Sequence, residues 1–371
     1  MPNRISTPLA INGMTLRNRF VRSATHEGLA SREGVYTPEL AAVYERLGRA
    51  GLGLVVTGHA FVSPEGRAGR NQAAADSDGC IGPWREAADR VHASGTKIVL
   101  QLAHAGGAAA DAASAVGPSP FVSGRNRPPC REASAGEIAH IVRNFAEAAL
   151  RAKRAGFDGV QLHAAHGYLI SQFLSGFYNH RSDAYGGTPE NRARLLLEIL
   201  GAVRTEVGRD YPVLAKINCE DFAPGGFSAA ECIRLCRELE RHGLDAVELS
   251  GGIPEAGPLQ SPVRTVDPQP DGPVYYEEYA RELRRGLSIP LLLVGGIRDA
   301  AAAERLLAEE ICDGVSLSRP LIRDPEIVRR WLAGETARST CVSCNGCFRP
   351  ILTGRGLFCP RDQRGARNHE S

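Results

Sequence analysis

The sequence predicts an α/β protein whose chain closes into a (β/α)8 TIM barrel and then continues into a Cys-rich tail. Three observations carry this prediction. Eight short apolar runs, near 19–24, 52–57, 97–102, 157–162, 212–217, 244–249, 290–294 and 312–317, suit parallel strands buried on both faces. Eight helical patterns alternate with them, at 38–50, 82–93, 134–155, 188–207, 228–242, 275–285, 299–308 and 324–332, and eight of each is the count of such a barrel. No Gly-x-Gly-x-x-Gly opens a helix after any run, which argues against a doubly wound open sheet.

Taken in order, the helix at 38–50 carries Pro38 in its first turn and meets Gly51 just past its end. Ser134 and Ser228 stand where N-caps belong, and Gly156 and Gly243 where helices stop. The run at 157–162 is short and partly β-branched, the run at 212–217 carries a lysine, and the last two runs end in Gly295-Gly296 and Ser318-Arg319. Two segments break the rhythm. Residues 104–133 are rich in Gly, Ala, Pro and Ser and are too long for an ordinary connection, so they read as a lid insertion on the C-terminal face. Residues 251–273 are long and proline-rich and read as a second rim. The expected organisation is a barrel over 1–338 and a Cys-rich extension over 339–371.

The bulk numbers exclude several function classes. A chain of 371 residues, 43% hydrophobic and 23% charged, is ordinary globular composition with enough length for a full core. A net charge of +2, with no basic run interleaved with aromatics, argues against a nucleic-acid partner. No apolar stretch approaches the ~20 residues of a membrane span, and the start lacks the apolar core of a signal peptide. A cytoplasmic location is the resulting expectation. A homo-oligomer is compatible with the sequence, which does not give its number.

The most informative stretch runs from Gly156 to Tyr168. A buried strand delivers His163, His166 and Tyr168 at its C-terminal end. Two imidazoles three residues apart can donate to one oxygen, and a phenol two residues on can supply a proton nearby. Other polar residues fall at the ends of other runs: Ser23 and Thr25, Gly58 and His59, Gln101, and Lys216. A lysine on an apolar strand is costly unless it meets an anion or a hydrogen-bonding ligand. Gly295 and Gly296 offer bare N–H groups and Arg319, beside Ser318, a bidentate fork, which suits a phosphate after the seventh and eighth strands. A long ligand across the barrel mouth, with a phosphate at one end and an amide and a cation along a planar ring, has the shape of flavin mononucleotide, FMN.

These residues carry a resemblance. His163-Ala-Ala-His166-Gly-Tyr168-Leu-Ile-Ser-Gln-Phe, then Asn179-His-Arg181-Ser-Asp183-Ala-Tyr185-Gly186-Gly187 and Glu190-Asn191-Arg192, strongly resemble the Old Yellow Enzyme family of FMN-dependent ene-reductases. Asn18-Arg19-Phe20-Val21-Arg-Ser23-Ala24-Thr25 resembles its first-strand signature, and Gln101-Leu-Ala-His104-Ala-Gly106 its third. The resemblance runs from about residue 3 to about 335. It implies that Ser23, Ala24 and Thr25 meet the flavin ring, that Gly58 and Gln101 contact the ring or its carbonyls, and that Lys216 stabilises negative charge on it. It implies that Gly295, Gly296, Ser318 and Arg319 hold the phosphate and that His163 and His166 bind a substrate carbonyl. Tyr168 would then protonate carbon in the reduction of an activated C=C bond, with NAD(P)H as co-substrate. His26 and Glu27 depart from the small ene-reductases, and the Thr25-His26 wording resembles the dienoyl-CoA reductase and trimethylamine dehydrogenase branch. That amine-oxidising branch has a tyrosine where this chain has His163, which argues for carbonyl binding.

Ten cysteines are present. Six are scattered, while Cys341-x2-Cys344-x2-Cys347-x11-Cys359 places four thiols in a short tail. That spacing can enclose a [4Fe–4S] cluster or, second in order, a tetrahedral zinc, and an unfilled remnant is the third reading. Cys-Val-Ser-Cys-Asn-Gly-Cys resembles the iron–sulfur segment that follows the barrel in the branch just named. Two further readings therefore stand beside the ene-reductase: an amine or demethylating dehydrogenase that exports electrons through the cluster, and a metal-binding electron-transfer or scaffold protein with a vestigial barrel site.

Overall fold

The computed structural model describes residues 3–123, 128–265 and 274–361. Eight parallel strands form the barrel: β1 Phe20–Arg22, β2 Leu54–Val56, β3 Lys97–Ala103, β4 Gly159–Ala164, β5 Val213–Asn218, β6 Ala246–Ser250, β7 Leu291–Val294 and β8 Gly314–Leu317. Each pairs with the next, and β8 pairs with β1, so the sheet closes and leaves no free edge. The outer helices are α1 Pro38–Arg49, α2 Ile81–His92, α3 Ala135–Arg154, α4 Pro189–Val207, α5 Ala229–Arg241, α6 Glu277–Arg284, α7 Ala300–Ala308 and α8 Ile327–Leu332. The expected barrel and its order are thus observed, with element ends moved by no more than three residues.

The expected caps do their work. Ser134 and Ser228 each open a helix with a reciprocal capping box, to Glu137 and Glu231. Gly156 and Gly243 follow α3 and α5 with φ of 88°, a conformation that a side chain disfavours.

Side chains alternate along each strand, and this divides the barrel interior into layers. At the N-terminal ends, Val21, Leu54, Val56, Val99, Leu214, Ala246 and Leu292 cluster with Leu9, Ile11, Met14 and Leu16. Those four belong to an antiparallel hairpin, Leu9–Ile11 with Met14–Leu16, that plugs the bottom. Two positions further along, the same inward faces carry Ser23, Gln101, Lys216 and Glu248, all buried. The change from an apolar to a polar layer puts the chemistry at the C-terminal mouth.

The insertion at 104–133 packs rather than dangles, with residues 124–127 outside the described set. Ala105, Ala109, Ala115 and Cys130 form a small cluster against which Phe121 and Tyr168 pack. Arg181 anchors the segment by donating to the carbonyls of Pro118 and Ala133 at 3.1 and 2.8 Å, while Asp183 holds its guanidinium at 2.6 Å. Of the rim expected at 251–273, residues 266–273 lie outside the described residues, as do 362–371 of the tail.

Candidate active site

One cavity of about 370 Å³ opens at the barrel mouth. Of the thirteen barrel residues the sequence nominates, twelve line it: Ser23, Ala24, Thr25, Gln101, His163, His166, Tyr168, Lys216, Gly295, Gly296, Ser318 and Arg319. Gly58 does not. It lies beneath the wall, its N–H donating to the Tyr44 hydroxyl at 3.1 Å, and a Cβ there would strike the Glu27 carboxylate at 2.0 Å. Its neighbour His59 lines the cavity in its place.

His163 sits within β4 rather than after it, opposite Lys216 in the register. The strand then turns sharply: His166 and Gly167 both take left-handed φ, 65° and 77°, strain that a non-glycine residue pays only where it is held. The Asn218 side chain accepts the His166 N–H at 3.2 Å, and the His166 ring nitrogen Nε2 lies 2.7 Å from Ser250 Oγ. Tyr168 follows at the head of a short helix, Leu169–Leu174. The rings meet edge to face: His163 to His166 at 5.2 Å and His163 to Tyr168 at 5.0 Å between centroids. Among the described residues His163 Nδ1 is buried without a partner, a costly state that a bound acceptor would relieve.

Burial sets the protonation of all three. It pushes His163 well below the ordinary imidazole value, helped by the charges of His166, His59 and Lys216. His166 falls to about 3, chiefly by burial and then by Lys216. Both rings are neutral at pH 7, so each carries one N–H. Tyr168 is pushed up to about 12 by burial and keeps its proton.

Beneath the cavity a polar chain crosses four strands. Gln101 Nε2 donates to Gln161 Oε1 at 2.7 Å, and Gln161 Nε2 donates to Glu248 Oε2 at 2.9 Å. Lys216 Nζ lies 3.2 Å from the same oxygen and donates to Ser23 Oγ at 2.7 Å. A carboxylate can only accept, so Glu248 orients Gln161, which in turn orients the Gln101 amide. Glu248 is fully buried and sequence reasoning missed it; the charge-in-an-apolar-run signal that picked out Lys216 would have found it. Burial lowers the Lys216 pKa, and Glu248 opposes that shift.

The seventh and eighth strand ends form the other end of the cavity. Gly295 and Gly296 have φ of 111° and 82°, so their backbone faces the space bare, and a Cβ on Gly295 would come within 3.0 Å of the Tyr275 and Tyr276 rings. Thr25 Oγ1 and Ser318 Oγ are 2.8 Å apart, and Ser316 Oγ is buried without a partner among the described residues. The residue set therefore fits FMN: donors and a buried cation along a planar edge, and bare N–H groups with a guanidinium at a phosphate end.

The tail folds against this end. Arg298, buried and lining the cavity, donates to the Cys341 carbonyl at 2.6 Å and to Ser343 Oγ. Arg319 donates to Asn345 Oδ1 at 2.9 Å and to the Arg264 carbonyl at 2.8 Å. Cys341, Cys344, Cys347 and Cys359 line a single small cavity that shares Arg319 with the large one. Hydrogen bonding from the Gly346 backbone lowers the Cys344 pKa, whereas burial pushes Cys347 up to about 11. Among the described residues, no group of three or more His, Cys, Asp or Glu is placed to hold a metal ion. The thiols share a cavity without forming a ready cage.

The family model for the NADH:flavin oxidoreductase / NADH oxidase family matches residues 4–336. The chain belongs to this family. A metal reductase from Desulforamulus reducens is 36% identical over 370 residues, covering 98% of this chain and 54% of that protein. An NADPH dehydrogenase from Bacillus subtilis is 33% identical over 334 residues, 89% of this chain and 94% of that one. The structure of an Old Yellow Enzyme homologue from Zymomonas mobilis superposes with a TM-score of 0.79 at 25% identity, over 96% of this chain and 97% of that one. The chain thus spans about half the length of the metal reductase and nearly all of the other two. The resemblance to the Old Yellow Enzyme family is borne out. Among the described residues no helix is long and apolar enough to cross a membrane.

Proposed function

We propose that the protein is an FMN-dependent oxidoreductase that draws on NAD(P)H and reduces an activated C=C bond conjugated to a carbonyl. The observation that carries this reading is the convergence of His163, His166 and Tyr168 on one cavity floored by the Gln101–Glu248–Lys216 chain. FMN held there would supply hydride transfer between NAD(P)H and the substrate carbon.

The protein's own groups do the rest. Ser23, Ala24, Thr25, Gln101 and Lys216 hold and orient the ring edge, and Gly295, Gly296, Ser318 and Arg319 the phosphate. Neutral His163 and His166 donate to the carbonyl oxygen, where negative charge grows as the carbon is attacked; fixed donors in a site with little water stabilise that charge strongly. Tyr168 holds a proton at its Oη and delivers it to the neighbouring carbon. The packed insertion beside Tyr168 keeps water from competing. The names of the Bacillus and Zymomonas proteins support the reading. The test is the spectrum of purified protein, its anaerobic titration with NADH and with NADPH, and product analysis with an enone. A flavin spectrum bleached by a nicotinamide, and a saturated product, are expected; protein without flavin, or an enone left intact, overturns it.

A second reading is favoured by one observation, the four tail thiols on a cavity that shares Arg319 with the large one. Cys341, Cys344, Cys347 and Cys359 would hold a [4Fe–4S] cluster or, second in order, a zinc, and the arginines that line the same cavity suit the negative charge either would carry. Such a cluster would supply single-electron transfer, and the metal reductase named among the relatives is compatible with electrons leaving by this route.

A further inference from the structure

We infer that His59 is a positioning residue for proton delivery: its Nε2–H holds the Tyr168 oxygen, leaves the phenol's own proton free for the cavity, and stabilises the phenolate left behind. This rests on the reading of Tyr168 as the proton donor.

The direction of the hydrogen bonds follows from one backbone group. The Ala68 N–H can only donate, and it reaches Gln72 Oε1 at 2.7 Å. The other end of that buried amide, Nε2, must therefore face His59, where it donates to Nδ1 at 2.6 Å and to the His59 carbonyl at 3.1 Å. With Nδ1 accepting, the ring proton sits on Nε2, which lies 3.4 Å from Tyr168 Oη. The ring cannot swing away. His26 stacks on it at 5.1 Å and 20°, and Tyr168 meets it edge-on at 5.3 Å and 68°. Burial and the nearby His26, His166 and Lys216 push His59 well below the ordinary imidazole value, so it remains a neutral donor.

The step balances without a further reactant. The Tyr168 O–H bond breaks, a C–H bond forms at the carbon beside the carbonyl, and the O–H electrons stay on the phenol oxygen. Solvent returns the proton afterwards. Burial raises Tyr168 to about 12 because the phenolate is poorly solvated there. A fixed N–H donor offsets that cost, since hydrogen bonds to charged groups are about twice as strong as neutral ones.

The experiment uses His59→Phe, which keeps a ring against His26 and Tyr168 but removes the donor, and His59→Gln, which restores an N–H at similar reach. The readout is the ratio of turnover rates with an enone, which needs a proton on carbon, and with a quinone, which takes its protons on oxygen. His59→Phe should lower this ratio roughly 10- to 100-fold, His59→Gln should recover it to within a few-fold, and His59→Phe should not change it in the Tyr168→Phe background. A ratio unmoved by His59→Phe, or lowered equally in both backgrounds, or left low by His59→Gln, overturns the inference. If Tyr168→Phe alone leaves enone turnover unchanged, the reading of Tyr168 fails instead.

Discussion

Replacing Glu248 by glutamine isolates one charge. The amide keeps the shape and an oxygen that can still accept from Lys216 and Gln161, so packing and hydrogen bonds survive while the negative charge goes. At 3.2 Å the Lys216–Glu248 attraction is about 5 kcal/mol at an effective dielectric near 20. The loss cannot exceed the cost of removing the lysine proton, at most about 5 kcal/mol between its ordinary 10.5 and pH 7. Glu248→Gln should therefore destabilise the protein by about 3–5 kcal/mol at pH 7, as breaking buried pairs generally does. The pH dependence gives the sharper test. The folded pKa of Lys216 lies below 10.5, so between the two values the unfolded chain holds a proton that the folded one lacks, and stability rises with pH. Removing Glu248 takes away the group that opposes this shift and extends the window downward. Urea denaturation at pH 7 and pH 9.5 should show the deficit of the variant shrinking at the higher pH. A deficit under about 1 kcal/mol, or one equal at both pH values, would refute the claim that a charged Lys216 depends on Glu248.

Other expectations concern ligands and substrate. Arg319→Ala should weaken FMN retention through dialysis and loosen Asn345, its partner in the tail; equal flavin content in variant and parent would contradict the phosphate role. His163→Ala and His166→Ala should each slow enone turnover roughly 10²-fold, with bleaching of the flavin by NAD(P)H affected less; unchanged enone rates would remove them from the site. Cys344→Ser should lose bound iron, or zinc, while FMN stays, and elemental analysis finding neither metal in anaerobically prepared parent protein would sink the cluster proposal.

The barrel was legible because strands covered on both faces read as apolar runs and the helices between them carry caps. The residues at 134–137 and 228–231 needed only local chemistry to be read. The N-terminal hairpin was missed although Asn12-Gly13 between two apolar triplets is a turn signal, because three-residue strands are too short to show a period. At the mouth, polar residues at strand ends stood out one by one. Their connections did not: Gln161, Glu248 and Ser250 join Gln101, Lys216 and His166 only through the lateral register of the closed sheet. That His59 rather than Gly58 lines the cavity was not legible, since which of two neighbours faces the mouth depends on how the chain leaves β2. The tail spacing was plain, but its attachment through Arg298 and Arg319 was not, since those arginines sit 26 to 45 residues before the groups they hold.

The central claim is that this cavity delivers a proton from Tyr168 to carbon, and Tyr168→Phe tests it most directly. The variant leaves both imidazoles, Lys216 and the residues assigned to the flavin in place and removes the phenol hydroxyl positioned beside His163. Stopped-flow rates with an enone and with a quinone are the measurement. Enone turnover should fall by about 10² or more, while the quinone rate falls far less and bleaching by NAD(P)H continues. Equal slowing with both substrates, or with neither, would contradict the account and assign the proton to another group or to solvent.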